Sequence, residues 1–296
     1  MIYIRSLSFY FFYVASGFLA GLIGCLVCPF LNIANRIKLL SAWPRFSNWI
    51  LYKACKIEVV VEGKENIPQA PFVVIPNHQG QWETFFCQYF FFPMTTLLKR
   101  ELLFIPLWGW ALALLKPIAI NRGNPVVALR KALREGEDRI KNGFSILNFA
   151  EGTRKNPGEI GSYARSGFEL AKKMKVPVLP LVHNSGDCWP AHRFLKFPGK
   201  IKLVIGPPIE NISSSAEAAK QTENWARERL NEIRVPTLVI HGTEDAILPL
   251  DHGMVLFDTI PNAKKYIMDG VGHEIPEQLL PEIINEMLTL FKGSNG

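Results

Sequence analysis

Residues 71–92 read PFVVIPNHQGQWETFFCQYFFF. They open apolar, turn polar from Asn77 to Thr84, and close on an aromatic-rich apolar run that Pro93 follows. A short apolar run feeding a polar stretch predicts a buried strand, and the run at 83–92 predicts a helix stopped by the proline. Strand, polar loop and helix in that order are the building unit of an α/β sheet. The loop sets His78 five positions ahead of Glu83. Chance alone gives roughly half an occurrence of that spacing in a chain with six histidines and 26 Asp+Glu, so the pair needs support from elsewhere.

The same alternation extends outward. KIEVVVEG (56–63), KPIAINR (116–122), FSILNFAEGTR (144–154), VPVLPLV (176–182) and KIKLVIGPPI (200–209) predict strands. Helical periodicity marks PVVALRKALREGEDRIKNG (125–143), SGFELAKKMK (166–175) and the serine-capped 213–233. Residues 97–115, LLKRELLFIPLWGWALALL, are apolar and rich in tryptophan. The fold class is α/β.

Composition divides the chain. Net charge is +7, yet from Arg234 onward four Lys/Arg face nine Asp/Glu. A basic body favours anionic partners such as anionic lipid or phosphorylated substrates. Without stacking aromatics or a recognised motif, nucleic acid is not expected. The five cysteines form no paired framework, and Cys25-x-x-Cys28 lies in an apolar segment without a second pair. They read as small apolar residues in a reducing compartment, with no metal site.

Residues 6–35 carry no charged side chain. That exceeds the roughly 20 residues a helix needs to cross hydrocarbon. Pro29 offers a break, and Gly17-x-x-x-Gly21 offers a face for close helix approach. Ala15-Ser16-Gly17 resembles a signal cleavage site, but the apolar run continues past it. An uncleaved anchor is expected. Arg36, Lys38, Arg45, Lys53 and Lys56 follow it, so positive-inside reasoning keeps the body cytoplasmic.

Four polar clusters end strand-like stretches: Asn77–Glu83, Arg122, Glu151–Arg154 and His183–Asn184. α/β folds place ligands at such ends. In this order they resemble the glycerolipid acyltransferase family, specifically the bacterial 1-acyl-sn-glycerol-3-phosphate acyltransferases, over roughly residues 45–232. Asn77, His78 and Glu83 match the Asn-His-x4-Asp motif, with Glu in place of the usual Asp. KRELLFIPLWGW, IAINR, EGTR and VPVLPL match the blocks that follow. Ala150 stands where a proline is common.

The resemblance implies an acyltransferase-type mixed sheet flanked by helices. It implies transfer from an acyl thioester to the free hydroxyl of 1-acyl-glycerol-3-phosphate, giving phosphatidic acid. His78 would be the general base and Glu83 its orienting acid, with Arg122 and Arg154 on the phosphate. Glu151, Gly152 and Thr153 complete substrate binding: Glu151 holds Arg154 or the glycerol, and Gly152 lets backbone amides approach an oxyanion. No cofactor is implied beyond acyl-CoA or acyl carrier protein as co-substrate. The expected partners are lysophosphatidic acid and membrane lipid, and the expected place is the cytoplasmic side of a bacterial inner membrane. Another lysolipid acceptor is the alternative within the fold.

From Arg234 the style changes. VPTLVIHGTEDAILP (235–249), LDHGMVLFDTI (250–260), AKKYIMDGVGHE (263–274) and QLLPEIINEMLTLFKG (278–293) predict a βαβα order. This segment resembles the end of an α/β-hydrolase, with Asp245 as triad acid and His273 as triad base. No Gly-x-Ser-x-Gly elbow occurs in the chain. The expected division is an anchor at 1–44, an acyltransferase domain at 45–233 and a hydrolase-like fragment at 234–296. An esterase built on Asp245 and His273 is the alternative of a different class.

Overall fold

The computed structural model of the chain describes residues 1–121, 123, 125–233, 237–260 and 263–292. It forms two compact units, Met1–Leu230 and Asn231–Gly296.

The first unit opens with α1 (Ile2–Val27), a 3₁₀ turn at Cys28–Phe30, α2 (Ile33–Leu40) and α3 (Ala42–Cys55). Pro29 lies in that 3₁₀ turn, and Asn32 caps α2 by accepting from the amide of Asn35 at 2.9 Å. Then come β1 (Ile57–Glu62), β2 (Val73–Pro76), α4 (Trp82–Phe90), β3 (Met94–Lys99), α5 (Trp108–Leu114), β4 (Ile118–Ile120) and α6 (Pro125–Lys141). The unit continues through β5 (Ser145–Leu147), α7 (Ser166–Met174), β6 (Val178–His183), α8 (Ser185–Cys188), β7 (Gly199–Ile205) and α9 (Ser215–Ile233).

Seven strands form one mixed sheet in the order β1-β7-β6-β2-β5-β3-β4. β2 pairs in parallel with β5 and β6, β3 pairs in parallel with β5 and β4, and β7 runs antiparallel to β6. The chain leaving β2 and the chain leaving β5 therefore emerge side by side at one edge of the sheet. Val73, Val74, Ile75, Ile146, Leu147, Leu179 and Leu181 are all solvent-free at its centre.

β3 is a strand the pattern did not predict. MTTLLK follows the aromatic run without a period-2 alternation, and its register beside β5 is set by burial of Met94, Thr95 and Thr96. The N-terminal segment is also less separate than the sequence implies. Phe9 of α1 is buried in the same core as Phe72, Phe86 and Leu203, and Phe9 meets Trp189 edge-on at 5.1 Å. The small residues of α1 face the chain's own body. A Cβ on Gly21 would lie 2.9 Å from the Trp108 amide, and one on Gly24 would lie 2.8 Å from Ala111 Cβ. The other side of α1 is bare: Leu7, Phe11, Phe18, Leu19 and Leu26 are exposed.

The second unit contains β8 (Leu238–Gly242), α10 (Leu250–Thr259), β9 (Lys264–Met268) and α11 (Leu280–Lys292). β8 and β9 pair in parallel from Leu238↔Lys264 to Gly242↔Met268, which is the βαβα order expected of this segment.

Candidate active site

The loop after β2 carries His78 to the sheet edge, and the first turn of α4 carries Glu83 back toward it. His78 Nδ1 lies 2.8 Å from Glu83 Oε1. The same oxygen accepts from the amides of Gln79 at 3.0 Å and Gly80 at 2.8 Å, while Oε2 accepts from Ser185 Oγ at 3.2 Å. Glu83 is solvent-free. Burial alone raises its pKa, but the His78 hydrogen bond, the neighbouring histidines and the Gly80 amide outweigh it and hold the carboxyl at about 2. An ionised Glu83 fixes the imidazole with its proton on Nδ1, leaving Nε2 with a free lone pair. The ring is further held by stacking on Phe149, centroids 4.0 Å apart.

The chain leaving β5 supplies the second side. Glu151 accepts from the His78 amide and from the Gly161 amide, each at 2.9 Å. Its carboxylate thus ties the two loops together rather than gripping Arg154, which forms no ion pair among the described residues. Burial, the largest influence, pushes the Glu151 carboxyl upward. Gly152 sits at φ +69°, a conformation that favours glycine. Its amide donates to Phe149 O at 3.0 Å and closes the turn after β5. Arg122 lies outside the described residues.

His183 and Asn184 belong to the frame. Asn77 and His183 lock β2 to β6: Asn77 Nδ2 donates to His183 O, the His183 amide donates to Asn77 Oδ1, and His183 Nε2 donates to Asn77 O, all at 2.9 Å. Burial, the largest influence, lowers the His183 pKa. Asn184 accepts from the Lys202 amide at 2.8 Å and so braces β6 against β7.

His78, Gly152, Thr153 and Arg154 line a cavity of about 460 Å³, within the range of small-molecule sites. Its remaining walls are mainly apolar, including Ala20 and Gly21 of α1, Trp43 of α3, Phe85 of α4 and Leu112 of α5. An oriented imidazole and a guanidinium in one mainly apolar lining suit an amphiphile with an anionic head. Lys99, the first residue of the KRELLFIPLWGW block, lines the cavity from the end of β3, although the sequence alone assigns it no role of its own. Sequence reasoning missed Ser185, whose only signal was its place after a strand end.

An acyltransferase family model matches residues 58–184. The chain is 41% identical over 235 residues to the 1-acyl-sn-glycerol-3-phosphate acyltransferase of Pseudomonas aeruginosa, covering 78% of this chain and 91% of that protein. It is 26% identical to the protein of the same description from Saccharomyces cerevisiae, covering 78% of each. The fold is similar to the crystal structure of the 1-acyl-sn-glycerophosphate (LPA) acyltransferase PlsC from Thermotoga maritima. The TM-score is 0.66 at 27% identity, covering 79% of this chain and 97% of that one. The chain belongs to the 1-acyl-sn-glycerol-3-phosphate acyltransferase family.

Proposed function

We propose that the chain transfers an acyl group from a thioester to the free hydroxyl of lysophosphatidic acid, giving phosphatidic acid. The observation that carries this reading is the 2.8 Å contact of Glu83 with His78, which lines a cavity that Arg154 also lines. His78 Nε2 takes the hydroxyl proton as that oxygen attacks the thioester carbonyl carbon, and Glu83 stabilises the resulting imidazolium. The tetrahedral intermediate collapses with cleavage of the C–S bond, and the imidazolium returns its proton to the departing thiolate. No acyl-enzyme is needed, because the donor already carries an activated acyl group. Arg154, with Arg122 by motif alone, binds the acceptor phosphate through planar guanidinium contacts.

Acyl-CoA and acyl carrier protein both fit as donor by chemistry. The bare apolar face of α1, with Phe46 and Trp49 exposed on α3, supports docking on lipid. The basic residues after α1 support the cytoplasmic face of an inner membrane. The test is an assay of membranes containing the full chain, given lysophosphatidic acid with each donor in turn and read by product mass. Phosphatidic acid absent with both donors overturns the reading. Product formed instead from a phosphate-free or aminolipid acceptor favours the alternative lysolipid.

A further inference from the structure

A second cavity of about 250 Å³ adjoins the first and shares Gln81, Arg154 and His192 with it. Its other walls are Tyr10 and the loop Trp189–Phe194. The lining holds two guanidiniums and an imidazole, from Arg154, Arg193 and His192, and no carboxylate. None of these three side chains makes a hydrogen bond or ion pair among the described residues. Two guanidiniums lining one cavity without an acid repel each other until an anion enters.

The loop that presents Arg193 and His192 is pinned to α1. Lys196 is fully buried. Its Nζ donates to Arg193 O at 3.1 Å, Phe194 O at 2.9 Å and Tyr10 Oη at 2.8 Å, and its amide donates to Ser6 Oγ at 2.9 Å. Phe194 stacks on Tyr10 with centroids 5.1 Å apart. His192 sits at φ +60°, an uncommon conformation for a residue with a side chain. Such a backbone persists only where its surroundings hold it.

We propose that Arg193 and His192 complete, together with Arg154, the binding site for the acceptor's phosphomonoester. Gln81, Arg154 and His192, which line both, then join the apolar cavity that His78 lines to this cationic one, and the acyl chain and the phosphate of one acceptor would occupy the two. A phosphate on the acyl donor's carrier has the same chemistry, so the test must separate the two sources.

This inference rests on a phosphorylated acceptor. Turnover of lysophosphatidic acid by the wild-type chain tests that premise, and the variants test the site. Arg193→Ala and Arg193→Lys are compared in the full-length, membrane-bound protein, with the KM of each substrate and kcat measured separately. Arg193 is exposed and makes no side-chain bond, and thermal melts check that its variants fold. His192→Asn, which tolerates positive φ, is the second probe. The expected result is a KM for lysophosphatidic acid raised about ten-fold or more by Arg193→Ala. Donor KM and kcat should change less than about two-fold, most of the loss should return in Arg193→Lys, and His192→Asn should give a smaller rise in the same constant. An unchanged acceptor KM overturns the site. A rise confined to the donor KM overturns its assignment to the acceptor, and a fall in kcat alone that Arg193→Lys does not rescue overturns a binding role.

Discussion

The molecule contains the same arrangement twice. In the first unit His78 Nδ1 lies 2.8 Å from Glu83, and in the second His273 Nδ1 lies 2.7 Å from Asp245 Oδ2. Both carboxylates also accept backbone amides: Asp245 Oδ1 takes those of Ile247 and Leu248, each at 2.9 Å. The Leu248 amide, with His273 and Ile247 adding to it, holds the Asp245 carboxyl at about 2. Distance and charge state therefore do not distinguish the pairs; their surroundings do. The His78 side chain is 12% exposed and lines a cavity, whereas that of His273 is 51% exposed. Residues 231–293 also hold no serine or cysteine for His273 to deprotonate. An oriented imidazole becomes a catalyst only where something with a proton to give is held against it.

The most direct way to break this comparison is to remove each imidazole. His78→Ala should lower phosphatidic acid formation by about 10²-fold or more, as loss of a general base does. The same measurement on His273→Ala should give the wild-type rate. Comparable losses from both would mean that exposure and missing nucleophiles do not separate the pairs.

Replacing the carboxylate sharpens the contrast. Glu83→Gln keeps shape but turns an acceptor of three N–H groups into an amide, which leaves the imidazole tautomer unfixed. Turnover should fall about ten-fold or more, less than for His78→Ala. Stability should fall as well. The folded Glu83 pKa, about 2, lies below its ordinary value of 4.5. Its contribution is therefore full above pH 4.5 and drains away as pH drops toward 2. Chemical denaturation at neutral pH should show Glu83→Gln weaker than wild type, and the gap should narrow across that acidic window. A gap that widens instead would mean the carboxyl enters the fold protonated.

Much of this site was legible because its parts follow strand ends, and strand ends are marked in sequence by apolar runs breaking into polar residues. That rule located His78, Glu83 and the EGTR turn. It could not assign partners. Glu151 faces Arg154 three residues away in sequence, yet it bonds the amides of His78 and Gly161, because adjacency of β2 and β5 is a property of the sheet and not of local spacing. The apolar N-terminal run forms a long helix, but composition does not reveal that one of its faces carries Phe9 into the core. His192 and Arg193 left no signal, since a positive φ and a cavity shared between loops appear only after folding.

Arg154 offers a smaller effect of a different kind. Arg154→Ala removes a charge-assisted contact made to ground state and transition state alike, so it should raise the acceptor KM about ten-fold with modest change in kcat. Donor KM should hold. Equal rises for both substrates would make Arg154 a support of the loop after β5, and the cavity rim would lose its only described guanidinium on that side.

The smallest expected effect is none. Asp245 and His273 have the geometry of two-thirds of a triad, but a triad histidine works by taking a proton from a nucleophile presented to it. No elbow presents one in this chain. Asp245→Ala and His273→Ala should leave phosphatidic acid formation unchanged within error. The intact protein should hydrolyse p-nitrophenyl esters no faster than His78→Ala does. Truncation after Glu232 removes Val255, Leu256, Ile284 and Leu288, all exposed, so solubility should shift while transfer persists. The decisive reagent is a fluorophosphonate, which reacts with activated serine and ignores an idle imidazole. Labelling of the intact chain that His273→Ala abolishes would place a serine against the second pair, and the two regions would then differ in substrate and not in competence.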